Sequence, residues 1–315
     1  VNIISDLTYK QYEAFGLSFR SEILLPELRE LNNASLVADV SIIYGDILPA
    51  WNRFNAPENH FVYSNNTLYF AIENVALFGI TGGHTITVDP APDCDMRKLR
   101  LYLLGTCMGA ILLNRRILPL HGSAFVIDGQ AYAIVGESGA GKSTLAAYFS
   151  QQGYKLLTDD VIAVSIDPVT GRAMVIPSYP QQKLWEESID GLQLDNQYET
   201  LYEEQDRTKY AIPVQDRFMT ETIPLAGIFE LNKSEHSDIK FEKLSGITCM
   251  PLLFTHTFRN FLVSLLGLNQ WHFTSTASIT SQTAVYRLHR PTSHFTVQQL
   301  FDTIMSQIKE GVSVQ

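Results

Sequence analysis

The chain is poor in cysteine: only Cys94, Cys107 and Cys249 occur, and no two of them form a C-x-x-C pair. That argues against a disulfide framework and against a cysteine-based zinc site, and fits a reducing, cytoplasmic setting. An excess of positive charge is missing as well. Lys and Arg number 23 against 33 Asp and Glu, a net charge of −10, so no broad basic footprint for nucleic acid is expected. No membrane is expected either, because the most apolar run, "LYLLGTCMGAILL" at 101–113, is too short to span a bilayer and lies between Arg100 and Arg115. Its Gly105 and Gly109 read as small positions in a buried helix that let another backbone approach. Repeats with periods of 20–50 residues are absent. The opening "VNIISDLTYKQYEAFG" lacks the basic, apolar and small-residue succession of a secretory signal.

One segment carries explicit chemistry. "VGESGAGKST" fits G-x-x-x-x-G-K-[ST], with Gly136, Gly141, Lys142 and Ser143 in the fixed places. Glycines let such a loop coil so that backbone N–H groups face phosphate oxygens, and the positive end of a following helix adds to the anion site. Gly136, Glu137, Ser138, Gly139, Ala140, Gly141, Lys142, Ser143 and Thr144 form the candidate nucleotide cradle. In it Lys142 reaches the terminal phosphates and the Ser143 hydroxyl ligates Mg²⁺. The context agrees. "QAYAIVGE" alternates like a strand, and "KSTLAAYFSQQG" reads as a helix closed by Gly153.

Around this motif the pattern predicts two regions. Residues 1–114 are strand-rich and antiparallel in type, with turn signals between short alternating runs, and end in the buried helix at about 96–113. Residues 115–315 begin with a hairpin turning at Asp128-Gly129, continue through the loop and its helix, and reach "YKLLTDDVIAVSID", read as a strand carrying Asp159 and Asp160. Neighbouring residues on a strand point to opposite faces, which predicts different jobs for the two carboxylates: one toward Mg²⁺, the other toward an acceptor hydroxyl or the interior. The acidic segment 186–206 reads as a solvated helix and loop, or else as a rim steering a basic substrate. "IPLAGIFEL" and "AVYRLHRP" read as further strands. The final helix shows a Thr296/Gln299 capping box and an apolar stripe of Val297, Leu300, Phe301, Ile304, Met305 and Ile308, ending at Gly311.

The stretch "HGSAFVIDGQAYAIVGESGAGKSTLAAYFSQQGYKLLTDDVIAV" resembles the catalytic domain of HPr kinase/phosphorylase and its smaller relatives. The resemblance covers about 118–165 and weakens beyond. It implies an α/β fold of the P-loop, carboxykinase-like type, ATP and Mg²⁺ as cofactors, and transfer to a serine hydroxyl. It further implies Asp160 as general base, Asp159 in the metal region, and His121 near the transferred phosphate. "PSYPQQKLWEES" replaces the family's phosphorolysis segment, so the reverse reaction and the HPr protein as substrate are not implied. Glu186 is a candidate second metal ligand, and Arg207, Lys209, His256 and Arg259 are candidate nucleotide or acceptor contacts. The whole resembles kinases that tailor ribosomally made peptides, notably lasso-peptide precursors, whose C-terminal serine is the expected acceptor; an oligomer is compatible. Three other readings stay open: a nucleotide-binding regulator or ATPase whose only acceptor is water, an HPr-type protein serine kinase, and a small-metabolite kinase.

Overall fold

The computed structural model describes residues 9–32, 37–55, 60–195, 197–204 and 207–312. The chain divides into two compact units, one of residues 1–117 with 259–271, the other of residues 118–258 with 272–315. The first crossing falls close to the sequence boundary at 114/115, whereas segment 259–271 groups with the first unit and not with the second region.

The first unit is built on β1 (Lys10–Ala14), β2 (Leu17–Ser21), β3 (Arg29–Glu30), β4 (Val40–Tyr44), β5 (Phe61–Ser64), β6 (Thr67–Ile72), β7 (Ala76–Thr81) and β8 (Thr85–Pro90). They form one sheet in the order β3-β1-β2-β4-β8-β7-β6-β5. The sheet is mixed rather than antiparallel, because β4 runs parallel to both β2 and β8. Tight turns force antiparallel pairing, but β4 is joined to each neighbour's strand set by longer connections that bring the chain back in the same direction. The β5–β6 turn shows the opposite case: Asn65 and Asn66 both take positive φ, the backbone that a two-residue hairpin favours. A short α1 (Leu48–Asn52) precedes β5. The buried helix is α2 (Met96–Tyr102) and α3 (Met108–Asn114), joined by a π-helical turn over Leu103–Cys107. Asp95 caps it by accepting from the Arg97 N–H at 2.8 Å.

The second unit opens with β9 (Leu118–Ile127), β10 (Gln130–Val135), α4 (Lys142–Gln151), β11 (Lys155–Thr158), β12 (Val161–Ile166) and β13 (Ala173–Ile176). Then come β14 (Gln181–Trp185), α5 (Glu186–Leu192), β15 (Glu199–Glu204), β16 (Arg207–Pro213), β17 (Ile223–Ser234) and β18 (Lys240–Leu244). The chain closes with α6 (Cys249–Thr255), α7 (Phe261–Leu265, in the first unit's segment), α8 (Asn269–Gln282), β19 (Ala284–Pro291) and α9 (Val297–Val312). The expected hairpin is present, with Asp128 and Gly129 both at positive φ. The long strand β9 serves two sheets: its first half pairs with β12 and its second half with β10 and β11. β17 likewise pairs with β13 at its start, then runs parallel to β10 and β19. The parallel set β10–β17–β19 is what aims several strand ends at the glycine-rich loop.

The helix α4 packs through Leu145, Ala146 and Phe149 against α9, whose Leu300 and Ile304 are fully buried. Phe149 and Phe301 lie with ring centroids 4.8 Å apart. Each such side chain removed from water contributes roughly 1.5–3 kcal/mol, so this apolar stripe docks the terminal helix as its periodicity predicts. Its capping box does not form: Thr296 Oγ1 is buried with no hydrogen-bond partner. The acidic segment also differs from expectation. Its first part is α5, but Glu199–Glu204 is a strand, paired with β16 in a small sheet β14-β16-β15; positions 196, 205 and 206 lie outside the described residues.

Candidate active site

β10 delivers the chain into the glycine-rich loop, and α4 starts at Lys142 with Gly141 as its N-cap at φ 104°. A side chain at Gly136 would place its Cβ 2.4 Å from the Leu231 carbonyl oxygen of β17, so only glycine lets the loop leave the sheet here. The strand, loop and helix therefore stand in the order the motif requires. Lys142 is buried, and its Nζ donates to the carbonyls of Gly136 and Glu137, both at 2.9 Å. Burial pulls its pKa down to about 8 against the opposing pull of Asp159 and Asp160. From the end of β19, Arg290 Nε donates to the Ala140 carbonyl at 2.6 Å.

The two aspartates are not on a strand. They occupy the bend between β11 and β12, with Asp160 at φ 76°, so the alternation argument for their opposite faces does not apply. Their different roles come instead from their partners. Asp159 is almost fully buried and accepts from Ser123 Oγ at 2.5 Å and from the Lys183 N–H at 2.8 Å. Asp160 accepts from Lys183 Nζ at 2.7 Å. One residue of β14 thus clamps both carboxylates, by its backbone and by its side chain. Burial pushes the Asp160 carboxyl up, but Lys183, His121 and Lys209 together outweigh it and hold it well below the usual carboxylate range. The same pairing holds Lys183 above the usual lysine value despite its burial.

His121, on β9, has Nδ1 3.1 Å from the Asp160 carbonyl and 3.6 Å from its Oδ1. Both neighbours are oxygens, so Nδ1 carries the proton. Burial and then Lys142 lower the His121 pKa, against Asp160, which favours the neutral ring. Its backbone N–H donates to the His256 carbonyl at 2.7 Å.

A cavity of about 320 Å³ brings His121, Ser138, Gly139, Gly141, Lys142, Ser143, Thr144, Asp159 and Asp160 together. Gly136, Glu137 and Ala140 shape the loop without lining the cavity. Five lining side chains are cationic (Lys142, Lys183, Arg207, Lys209, Arg290) and three acidic, the reverse of the chain's own balance. Of the other candidates, Glu186 does not line the cavity, whereas Glu187 does and pairs with Arg207 at 2.7 Å. Arg207 lies 4.2 Å above the Trp185 ring, with Lys209 Nζ 5.2 Å from the same ring. His256 stands outside the cavity, its Nε2 2.8 Å from buried Glu230, which Arg287 also binds. Arg259 belongs to the first unit. Lys183, Arg290, Ser123 and Trp185 carry no motif and were not legible in advance. Among the described residues, no cluster of three or more His, Cys, Asp or Glu is arranged to hold a metal, and no helix is long and apolar enough to cross a membrane.

No family model matches this chain. A stretch of 70 residues is 36% identical to the HPr kinase/phosphorylase of Mycoplasmopsis pulmonis (strain UAB CTIP), covering 22% of this chain and 23% of that protein. The chain thus spans about a quarter of the length of that relative. The HPr(Ser) kinase/phosphatase structure from Coxiella burnetii aligns with a TM-score of 0.36 at 14% identity, over 62% of this chain and 98% of that one.

Proposed function

We propose that the chain is a Mg-ATP-dependent kinase that phosphorylates a serine hydroxyl of a peptide, the C-terminal serine of a lasso-peptide precursor. The observation that carries the reading is a cationic cavity in which the glycine-rich loop, Lys142 and the start of α4 face Asp160 and His121. A phosphate cradle alone would serve a switch. A carboxylate beside it, held by its own dedicated lysine, suits a second substrate that brings a hydroxyl.

In this reading the backbone amides of 136–144 and Lys142 hold the phosphates. Mg²⁺ binds mainly through phosphate oxygens and takes few protein ligands. The donor set fits that habit: one hydroxyl, Ser143, and one carboxylate, Asp159, both line the cavity. The ion would neutralise charge on the transferring group. Asp160 accepts the hydrogen bond of the acceptor hydroxyl and aims its oxygen at phosphorus. Its low pKa makes it a weak base, which suffices because phosphoryl transfer passes through a loose transition state that needs little proton removal early. Neutral His121 braces the Asp160 backbone and stands beside the transferring group. A flexible tail enters without a partner domain rearranging, at a cost in ordering entropy that keeps affinity modest.

The test is ATP consumption with and without a precursor peptide ending in serine. Turnover that rises with the peptide supports the kinase. Slow hydrolysis indifferent to every peptide would assign the chain to the nucleotide-binding regulators, and efficient phosphorylation of HPr with precursors untouched would replace the substrate while keeping the kinase.

A further inference from the structure

Two cations from adjacent parallel strands stand beside the glycine-rich loop, and one of them, Arg290, also lines the cavity. Lys233 on β17 and Arg290 on β19 are register partners. A Cβ at Gly139 would lie 3.2 Å from Lys233 Nζ, and a Cβ at Gly141 would lie 3.4 Å from Arg290 Nε. The contacts of Arg290 are with carbonyls: Nε to Ala140 at 2.6 Å, Nη2 to Gly139 at 3.5 Å and Nη1 to its neighbour Pro291 at 3.2 Å.

The consequence follows from peptide geometry. A trans peptide unit is planar, with its C=O and N–H on opposite sides, and the described chain has no cis bonds. Pinning the Ala140 carbonyl onto Arg290 therefore turns the Gly141 N–H the other way. Gly141, at φ 104°, is free of the Cβ penalty that would resist this orientation. The preceding unit is held at both ends, because the Ala140 N–H donates to the Glu137 carbonyl at 3.1 Å and Arg290 Nη2 reaches its Gly139 carbonyl at 3.5 Å.

We infer that Arg290 is the positioning residue of the nucleotide loop: through the Ala140 carbonyl it holds the Gly141 N–H toward the bound β-phosphate. The inference rests on the proposed nucleotide site and adds to it a residue that lies outside the loop motif. It acts by its Nε donor, not by ion contact with the ligand.

That distinction sets the experiment. Along the side chain, Gln Nε2 sits at the same number of bonds from Cα as Arg Nε, so Arg290→Gln keeps the donor and loses the charge. Arg290→Lys keeps the charge but has a carbon at that place. Calorimetric titration of the full chain with ATP, ADP and adenosine, in Mg²⁺, gives the comparison, with equal melting temperatures of the variants as the check on folding. A charge-assisted hydrogen bond is worth about 1.5–3 kcal/mol, or roughly ten- to hundredfold. Arg290→Ala should weaken ATP and ADP alike by at least about tenfold and leave adenosine unchanged; Arg290→Gln should bind ADP better than Arg290→Lys. Three results would overturn the inference: Lys better than Gln, a loss confined to ATP, or an equal loss for adenosine. If Arg290→Ala does not fold, the Gln and Lys pair decides alone. A wild-type chain that binds no nucleotide at all refutes the proposed function and the brace with it, and is recognised before any variant is made.

Discussion

Lys183→Met is the perturbation that the site geometry makes most informative. The Lys183 side chain is 5% exposed and its ammonium lies 2.7 Å from Asp160, which is 22% exposed. Removing one member of a buried pair costs about 3–5 kcal/mol because the other charge is left uncompensated. Water reaching Asp160 lowers that figure, so about 2–4 kcal/mol is expected. For a unit of this size, about 3 kcal/mol corresponds to roughly 6–12 °C in melting temperature. The clamp on Asp159 survives in this variant, because it is the Lys183 backbone N–H that makes it. The pH dependence has a definite sign. Asp160 is depressed, so its contribution is present above the ordinary carboxylate range and is lost only in stronger acid. Lys183 is raised, so its contribution is present below the ordinary lysine value and is lost only in stronger base. The penalty of Lys183→Met should therefore be flat from about pH 5 to pH 9 and shrink toward acid. Melting by differential scanning calorimetry, run on Lys183→Met, Asp160→Asn and the double variant, separates pair from background. The double variant should be far more stable than the sum of the single losses implies. Additive losses, or a drop below about 0.5 kcal/mol for Lys183→Met, would refute the account of this pair.

Three further outcomes follow from the same geometry. Asp160→Asn should bind Mg-ATP nearly as the wild type does and transfer phosphate roughly 10²–10⁴-fold more slowly in a single-turnover assay; if Asp159→Asn behaves so and Asp160→Asn does not, the two roles are exchanged. Nucleotide affinity should fall as pH rises through about 8, where Lys142 loses its proton, and titration calorimetry at a series of pH values that shows no such fall would dissociate Lys142 from the phosphates. Gly136→Ala should lose nucleotide binding and melt earlier, because its Cβ would sit 2.4 Å from the Leu231 carbonyl; a variant that binds normally would mean that β17 does not fix the loop.

The parts of this molecule legible in its sequence are those with local causes. A phosphate cradle needs glycines at set intervals, and a two-residue hairpin needs Asp128-Gly129, so both could be placed from the chain alone. The aspartates could be located but not described. "LLTDDVIAV" reads as one strand, and nothing in it marks the left-handed backbone of Asp160, which Asp tolerates better than most residues. In the acidic segment the charges hid a β pattern, although Thr200 and Tyr202 are residues that strands favour, as are Thr208 and Tyr210 in the strand β16 that pairs with it. Lys183 and Arg290 were out of reach for a different reason. A lysine in a strand ordinarily faces water, and Lys183 is buried only because the fold brings it to carboxylates more than twenty residues earlier. Arg290 meets the loop from 150 residues away. Such residues are set by tertiary pairing, and no spacing announces them.

The central claim is that this cavity moves a phosphoryl group from ATP to a peptide hydroxyl. Intact-mass spectrometry tests it most directly, on a serine-terminated precursor peptide incubated with the full chain, ATP and Mg²⁺. The account predicts one added phosphate on that serine, none when the serine is alanine, and none with Lys142→Ala. An unmodified peptide beside ATP that is bound and slowly hydrolysed would contradict it.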